Sequence, residues 1–254
     1  MAAVHPIERL RFVARAGDAD PSLLAAEAAV AFAGLAHDPR ALVTSAKRLV
    51  EFHPGCAPLW WVAARVLGAV DAAEAARESV AMLDDDPTCD ELAAALPGGA
   101  AVVCGPSPLV VAAVATRPDL TVRVVGAASF AEGLRALAGR EVTGWSAGEA
   151  RAAVSGARVA VVEALAACPG GCVLDGPSAA VAREARDCGV PVWIAAGVGR
   201  VLPGVLFDAL VRRSPGSCVL GTDTFDGVAG PHGWRGPAEG LDRGDCPAPP
   251  ELAR

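Results

Sequence analysis

From residue 98 onward the chain sets five short apolar runs, several rich in valine, between stretches with helical character: Ala101 to Cys104, Thr121 to Val125, Glu141 to Trp145, Arg158 to Val162 and Pro191 to Ala196. Strands separated by helices pair in parallel through right-handed crossovers, and helices then cover both faces of the sheet. This spacing predicts a Rossmann-like α/β domain. The first hundred residues have a helical period instead. Asp20-Pro21 and Asp38-Pro39 each put an acidic cap before a proline suited to the first helical position. After Asp38, the apolar Leu42, Val43, Ala46, Leu49 and Val50 recur at helical spacing among Lys47, Arg48 and Glu51. The expected organisation is an N-terminal helical domain over 1–96, a parallel-sheet domain over 97–235 and a weakly ordered tail over 236–254, rich in proline, glycine and charge.

At 254 residues and 53% hydrophobic, the chain is long enough for a substantial core. Its formal charge of -7 disfavours broad binding to a nucleic-acid backbone. No apolar run is long enough for a bilayer span without Gly, Pro or charge intervening, and MAAVHPIERLRF lacks a signal-peptide core, so the expectation is a cytoplasmic protein with no membrane partner. Lys47 is the only lysine among abundant Ala, Gly, Pro and Arg, which points to a GC-rich bacterial genome. Eight cysteines in such a chain read as reduced thiols. Cys168 and Cys172 form a lone C-x3-C without a second pair, a poor zinc signature, and no metal site is expected.

Residues 169–196, PGGCVLDGPSAAVAREARDCGVPVWIAA, carry the most specific local pattern. Gly170 and Gly171 permit a tight turn. Asp175, Gly176, Pro177 and Ser178 open a helix that stops near Gly189 and feeds the Val190 to Ala196 strand. The unpaired amides of that helix start, with the Ser178 hydroxyl beside them, suit a phosphate or carboxylate. An ordinary structural corner has the same pattern. Ligands of a doubly wound sheet lie outside the carboxyl ends of its strands, so the candidate lining is Cys104, Gly105, Pro106 and Ser107, then Gly126 and Ser129, Glu163, and the loop to Arg200. CGPSP is not a G-x-G-x-x-G fingerprint, which disfavours NAD or FAD, and no cofactor is expected. Trp60 and Trp61 are adjacent on one helix, where both are not expected to face one core. One of them is read as half-exposed, or as part of a subunit surface.

The same segments resemble the superfamily that joins the α, β and δ subunits of translation initiation factor 2B with the methylthioribose-1-phosphate and ribose-1,5-bisphosphate isomerases. Gly170 and Gly171 fall on the family's paired glycines, Ser178 on its helix-start threonine, and Val190-Pro191 on its strand opening. CGPSPLVVAAV, HPGCAPLWWVAARVL and FDGVAGPHG extend the likeness over roughly residues 23–233. The resemblance implies a helical domain followed by a Rossmann-like domain that often dimerises, with a phosphorylated sugar as ligand. It also implies a catalytic cysteine and a catalytic aspartate. Here Cys104 stands one place early, Gly105 takes the cysteine's place, Ala164 takes the aspartate's place with Glu163 beside it, and GAAS at 126–129 replaces a Glu-Ser-Arg-Pro motif.

Three functions follow as expectations. The first is a divergent, non-catalytic protein of this type that binds a phosphorylated metabolite or nucleotide, as a homodimer or with a related subunit. The second is an aldose-ketose isomerase using Cys104 and Glu163, with Gly105, Ser107, Gly170, Gly171, Ser178 and Arg200 holding phosphate. The third is an interaction module presenting Trp60, Trp61 and the C-terminal segment. A thiolate base at Cys104 would serve the second; an inert buried thiol is the competing reading.

Overall fold

The computed structural model describes residues 5–17, 19–105, 107–126, 131–135, 139, 142–242 and 246–253. The chain divides into two compact units, one of Met1–Asp86, Val198–Gly216 and Arg243–Arg254, the other of Pro87–Gly197 and Ser217–Asp242.

The first unit is helical. It holds α1 (Pro6–Arg15), α2 (Pro21–Leu35), α3 (Pro39–Phe52), α4 (Ala57–Gly68) and α5 (Ala72–Asp84), and the later segments add α11 (Gly204–Arg213) and α13 (Pro250–Ala253). Both Asp-Pro starts cap as expected. Asp20 Oδ1 accepts from the Ser22 and Leu23 amides at 2.9 and 3.1 Å, and Asp38 Oδ1 accepts from Arg40 and Ala41 at 3.1 Å. Helix α2 packs on α1, α4 and α5. Trp60 and Trp61 depart from expectation, because both are buried. Helix α4 is enclosed on more than one side: the Trp60 indole N–H donates to the Pro54 carbonyl at 2.9 Å with Arg213 over its ring, while Arg65 lies over Trp61. Neither tryptophan is left to form an exposed docking surface. In the acidic run that ends α5, Asp86 Oδ2 accepts from the Val198 amide at 2.8 Å and so anchors the returning chain.

In the second unit, α6 (Thr88–Ala95) precedes β1 (Gly99–Cys104), and α7 (Pro108–Ala115) leads to β2 (Leu120–Val125). Helix α8 (131–135) and β3 (Val142–Trp145) follow, then α9 (Ala150–Val154) and β4 (Val159–Glu163). A hairpin of β5 (Ala166–Cys168) and β6 (Gly171–Leu174) precedes α10 (Gly176–Asp187) and β7 (Val192–Ala195). The unit closes with β8 (Cys218–Gly221), β9 (Gly227–Gly230), β10 (Gly233–Arg235) and α12 (Pro237–Gly240). Seven strands form one sheet in the order β10-β9-β7-β4-β1-β2-β3, parallel throughout except for the antiparallel edge strand β10. All five of these apolar runs form strands of this sheet. The central strands β1 and β4 are apolar on both faces, whereas toward the sheet edge Thr121 of β2 and Thr143 of β3 are exposed: Val103, Val122, Val124, Val159 and Val161 join one core cluster, and Val102, Ala160, Val162 and Ile194 are buried as well. The result is the expected α/β class, a helical unit and a mostly parallel Rossmann-like sheet.

Composition does not announce the second sheet, of order β5-β6-β8. Its strands are three or four residues long and antiparallel, so they show neither a long apolar run nor a clear alternation. Gly171 shows why a glycine is needed there, since a Cβ would sit 2.3 Å from the Leu220 carbonyl oxygen of β8. Residues late in the chain, where weak order is expected, bury Leu241 in the second unit and Cys246 and Leu252 in the first. Arg213 donates to the Leu252 carbonyl at 3.2 Å, and Arg212 to that of Ala253 at 3.1 Å. No helix among the described residues is long and apolar enough to cross a membrane.

Two substitutions test this packing. Gly171→Ala is expected to destabilise by about 2–4 kcal/mol in urea unfolding, because the β6–β8 pairing must part to admit the methyl group. Gly204→Ala, with nothing within 4 Å of the new Cβ, serves as the control and should stay within about 0.5 kcal/mol. Leu252→Ala is expected to cost about 2–4 kcal/mol; a neutral result would show that the C-terminal helix contributes nothing to the helical unit.

Candidate functional site

Strands buried on both faces can offer polar side chains only where they end. β1 ends at Cys104 and β4 at Glu163, and since Val103 pairs with Val161 in register, the two residues leave adjacent strands at the same carboxyl edge. Beyond β1 the chain turns through Gly105 at φ +66°, a left-handed conformation that favours glycine. A Cβ on Gly105 would lie 3.6 Å from Asp175 Oδ2, and one on Gly126 would lie 3.7 Å from the Gly105 amide nitrogen. The ends of β1 and β2 and the start of α10 therefore converge.

Within this edge the polar groups are matched to one another. Ser107 caps α7: its hydroxyl accepts from the Val110 amide at 3.2 Å and donates to Glu163 Oε2. Asp175 caps α10, its Oδ1 accepting from the Ser178 amide at 2.6 Å. Ser178 is buried and its side chain lies beside the Cys104 thiol. Burial pushes the Cys104 thiol up to about 11, a rise that the Ser178 hydrogen bond opposes and the Asp175 carboxylate reinforces. At neutral pH the sulfur is a protonated thiol, 3% exposed. The edge thus brings Cys104, Gly105, Ser107, Glu163 and Ser178 together and adds Asp175. Asp175 is legible only as a helix cap, because the sequence does not say which strand end the cap faces.

The other candidates lie elsewhere. Gly170 and Gly171 belong to the β5–β6 hairpin, where Cys168 pairs with Gly171. Arg200 is grouped with the helical unit; it is buried, and its charge acts on the Cys56 thiol. The preceding Gly199, at φ +79°, packs against Pro58 and Trp61 of α4. Arg123, the arginine nearest the replaced Glu-Ser-Arg-Pro motif, donates to the Ala153 and Ser155 carbonyls at 2.8 and 2.7 Å. Pro106 and Ser129 lie outside the described residues.

Each of the two helix starts at this edge carries a side-chain cap from its own N-cap residue. The Ser178 amide faces the Asp175 carboxylate and the Val110 amide faces the Ser107 hydroxyl, so an anion would have to displace a cap and approach Glu163 and Asp175 against their charge. The arrangement suits neutral hydroxyl-bearing groups better than a bare phosphate.

The buried thiols make a pH prediction. Cys104 and Cys56 are pushed up to about 11 and Cys172 to about 12, in each case chiefly by burial. A raised folded-state value means that stability is complete below the ordinary thiol value of 9 and is lost as pH climbs through 11 to 12. The melting temperature is expected to fall between pH 9 and 11, with a shallower fall in Cys104→Ala. An equal slope in that variant would remove Cys104 from the effect.

No protein-family model matches the sequence, and no curated protein matches it. Solved structures do match. Translation initiation factor eIF-2B from Pyrococcus horikoshii OT3 aligns over 95% of this chain and 100% of its own, with a TM-score of 0.75 at 16% identity. A chain of the tetrameric complex of eIF2B beta and delta subunits from C. thermophilum aligns over 93% and 92%, with a TM-score of 0.74 at 17% identity. 5-Methylthioribose 1-phosphate isomerase from Pyrococcus horikoshii OT3 aligns over 92% and 85%, with a TM-score of 0.62 at 13% identity. Backbone geometry and sequence motifs therefore meet on one resemblance: this chain has the fold shared by the initiation factor 2B subunits and the methylthioribose-1-phosphate isomerase.

Proposed function

We propose that this protein is a non-catalytic, initiation factor 2B-like protein that binds a small sugar-containing metabolite or nucleotide at the carboxyl edge of its sheet. The observation that carries this reading is the burial of Cys104. Converting an aldose phosphate to a ketose phosphate requires one group to remove a proton and one to return it at adjacent carbons. A thiol held protonated by burial, and reached by solvent over 3% of its surface, is a poor base. Glu163 is bonded to the Ser107 hydroxyl. What the edge retains is recognition chemistry, in which carboxylates and a serine accept or donate hydrogen bonds to ligand hydroxyls. A phosphate on such a ligand would point away from Glu163 and Asp175.

The isomerase reading has one specific observation in its favour, the placement of Cys104 and Glu163 at the ends of neighbouring strands. As for partners, the structurally similar eIF2B beta and delta chains assemble as a tetramer. We extend to this chain a homodimer or pairing with a related subunit, in a cytoplasmic setting.

A thermal-shift series with ribose 5-phosphate, methylthioribose 1-phosphate and AMP tests the reading. At a hundredfold excess over Kd a ligand specific for the native state adds about 2.7 kcal/mol, so a saturable rise in Tm with no interconversion of aldose and ketose is expected. Turnover that disappears in Cys104→Ser would establish the isomerase instead. No shift with any compound would set aside metabolite binding at this edge.

A further inference from the structure

Next to the Cys104–Glu163 edge, β2 and β3 end at a separate cleft of about 490 Å³ whose walls include Gly126, Glu132, Arg135, Gly144 and Trp145. Its construction is tight. A Cβ on Gly144 would lie 3.2 Å from that of Ala131, so the bare glycine lets α8 settle directly on β3. Arg135 donates to the Val142 carbonyl at 2.5 Å and pins the other end of α8 to the same strand. The short helix is thereby held where Glu132 borders the cleft. Trp145, which also lines the cleft, is half-buried, and its Nε1 is buried with no hydrogen-bond partner among the described residues.

The topology says what such a cleft is placed to hold. Taken in chain order, the parallel strands β1, β2, β3, β4, β7 and β9 lie in the sheet as 3-2-1-4-5-6. In a doubly wound sheet of that order, an acidic residue downstream of the first βα turn hydrogen-bonds a ribose hydroxyl of a bound dinucleotide. Here Glu132 follows β2 and Trp145 ends β3. A carboxylate accepts from two neighbouring hydroxyls, and an indole face stacks on any base. The volume falls within the range of small-ligand pockets. The glycine fingerprint for a pyrophosphate is absent from the turn after β1, which limits the ligand to a single nucleoside unit.

We infer that this cleft binds a mononucleoside, its base against Trp145 and its ribose 2′,3′-diol on Glu132. The inference does not require the Cys104–Glu163 edge to be occupied. Isothermal titration of the full chain with adenosine, guanosine, cytidine and uridine, each beside its 2′-deoxy counterpart, tests it. At least one ribonucleoside is expected to bind saturably, and at least about tenfold more tightly than its deoxy form. Glu132→Gln and Trp145→Leu should each weaken that binding about tenfold, while Gly204→Ala leaves it unchanged. Glu132 is exposed, so its variant should melt with the wild type. The inference is overturned if no ribonucleoside saturates, if Glu132→Gln binds as well as wild type, or if binding is lost in Glu163→Gln alone. Sugar phosphates that bind in the absence of any nucleoside binding would leave the Cys104–Glu163 reading standing and remove this one.

Discussion

A parallel strand covered on both faces leaves no lateral position for a polar side chain, and this constraint organises the centre of the sheet. Along β1, Ala101, Val102, Val103 and Cys104 are all buried, and β4 repeats the pattern from Val159 to Val162. Chemistry is therefore displaced to the one place where the strands run out. The glycine at φ +66° after β1, the serine cap of α7 and the aspartate cap of α10 all serve to turn the chain within that crowded edge. Cys104 belongs to the core by burial and to the edge by position, which is why its thiol is present but held protonated.

The same edge shows how capping residues occupy the helix starts that an anion would use. Helix N-termini attract anions only while their amides are open. Here Asp175 and Ser107 each cap one of those amides, and Glu163 accepts from the Ser107 hydroxyl. The negative charge that a phosphate would bring is already supplied by the protein. What remains available is a set of acceptors suited to hydroxyl groups, and the cleft beside β3 adds an aromatic wall.

Glycines illustrate the limit of local reasoning. Gly170 and Gly171 carry the sequence signal of a ligand-binding turn, yet Gly171 is placed by the carbonyl of Leu220, a partner 49 positions away in number and visible only once β6 and β8 pair. Trp60 and Trp61 teach the same lesson from the opposite direction. Helical periodicity assigns each residue a direction, but α4 is enclosed on several sides, so both indoles are buried.

By itself the sequence determined the class of the fold, the helical first unit with its two Asp-Pro starts, and the five short apolar strands, because burial and proline at a helix start leave local compositional traces. It also placed Cys104, Glu163 and Ser178 at element ends. Which ends meet was decided by the tertiary structure. Strand order set Cys104 and Glu163 at one edge, the approach of α10 brought Ser178 to the Cys104 thiol, and the β5–β6–β8 pairing took the glycine pair into a hairpin. Arg200 went to the helical unit for the same reason: contacts between residues far apart in the chain depend on register and packing, which no local window of sequence contains.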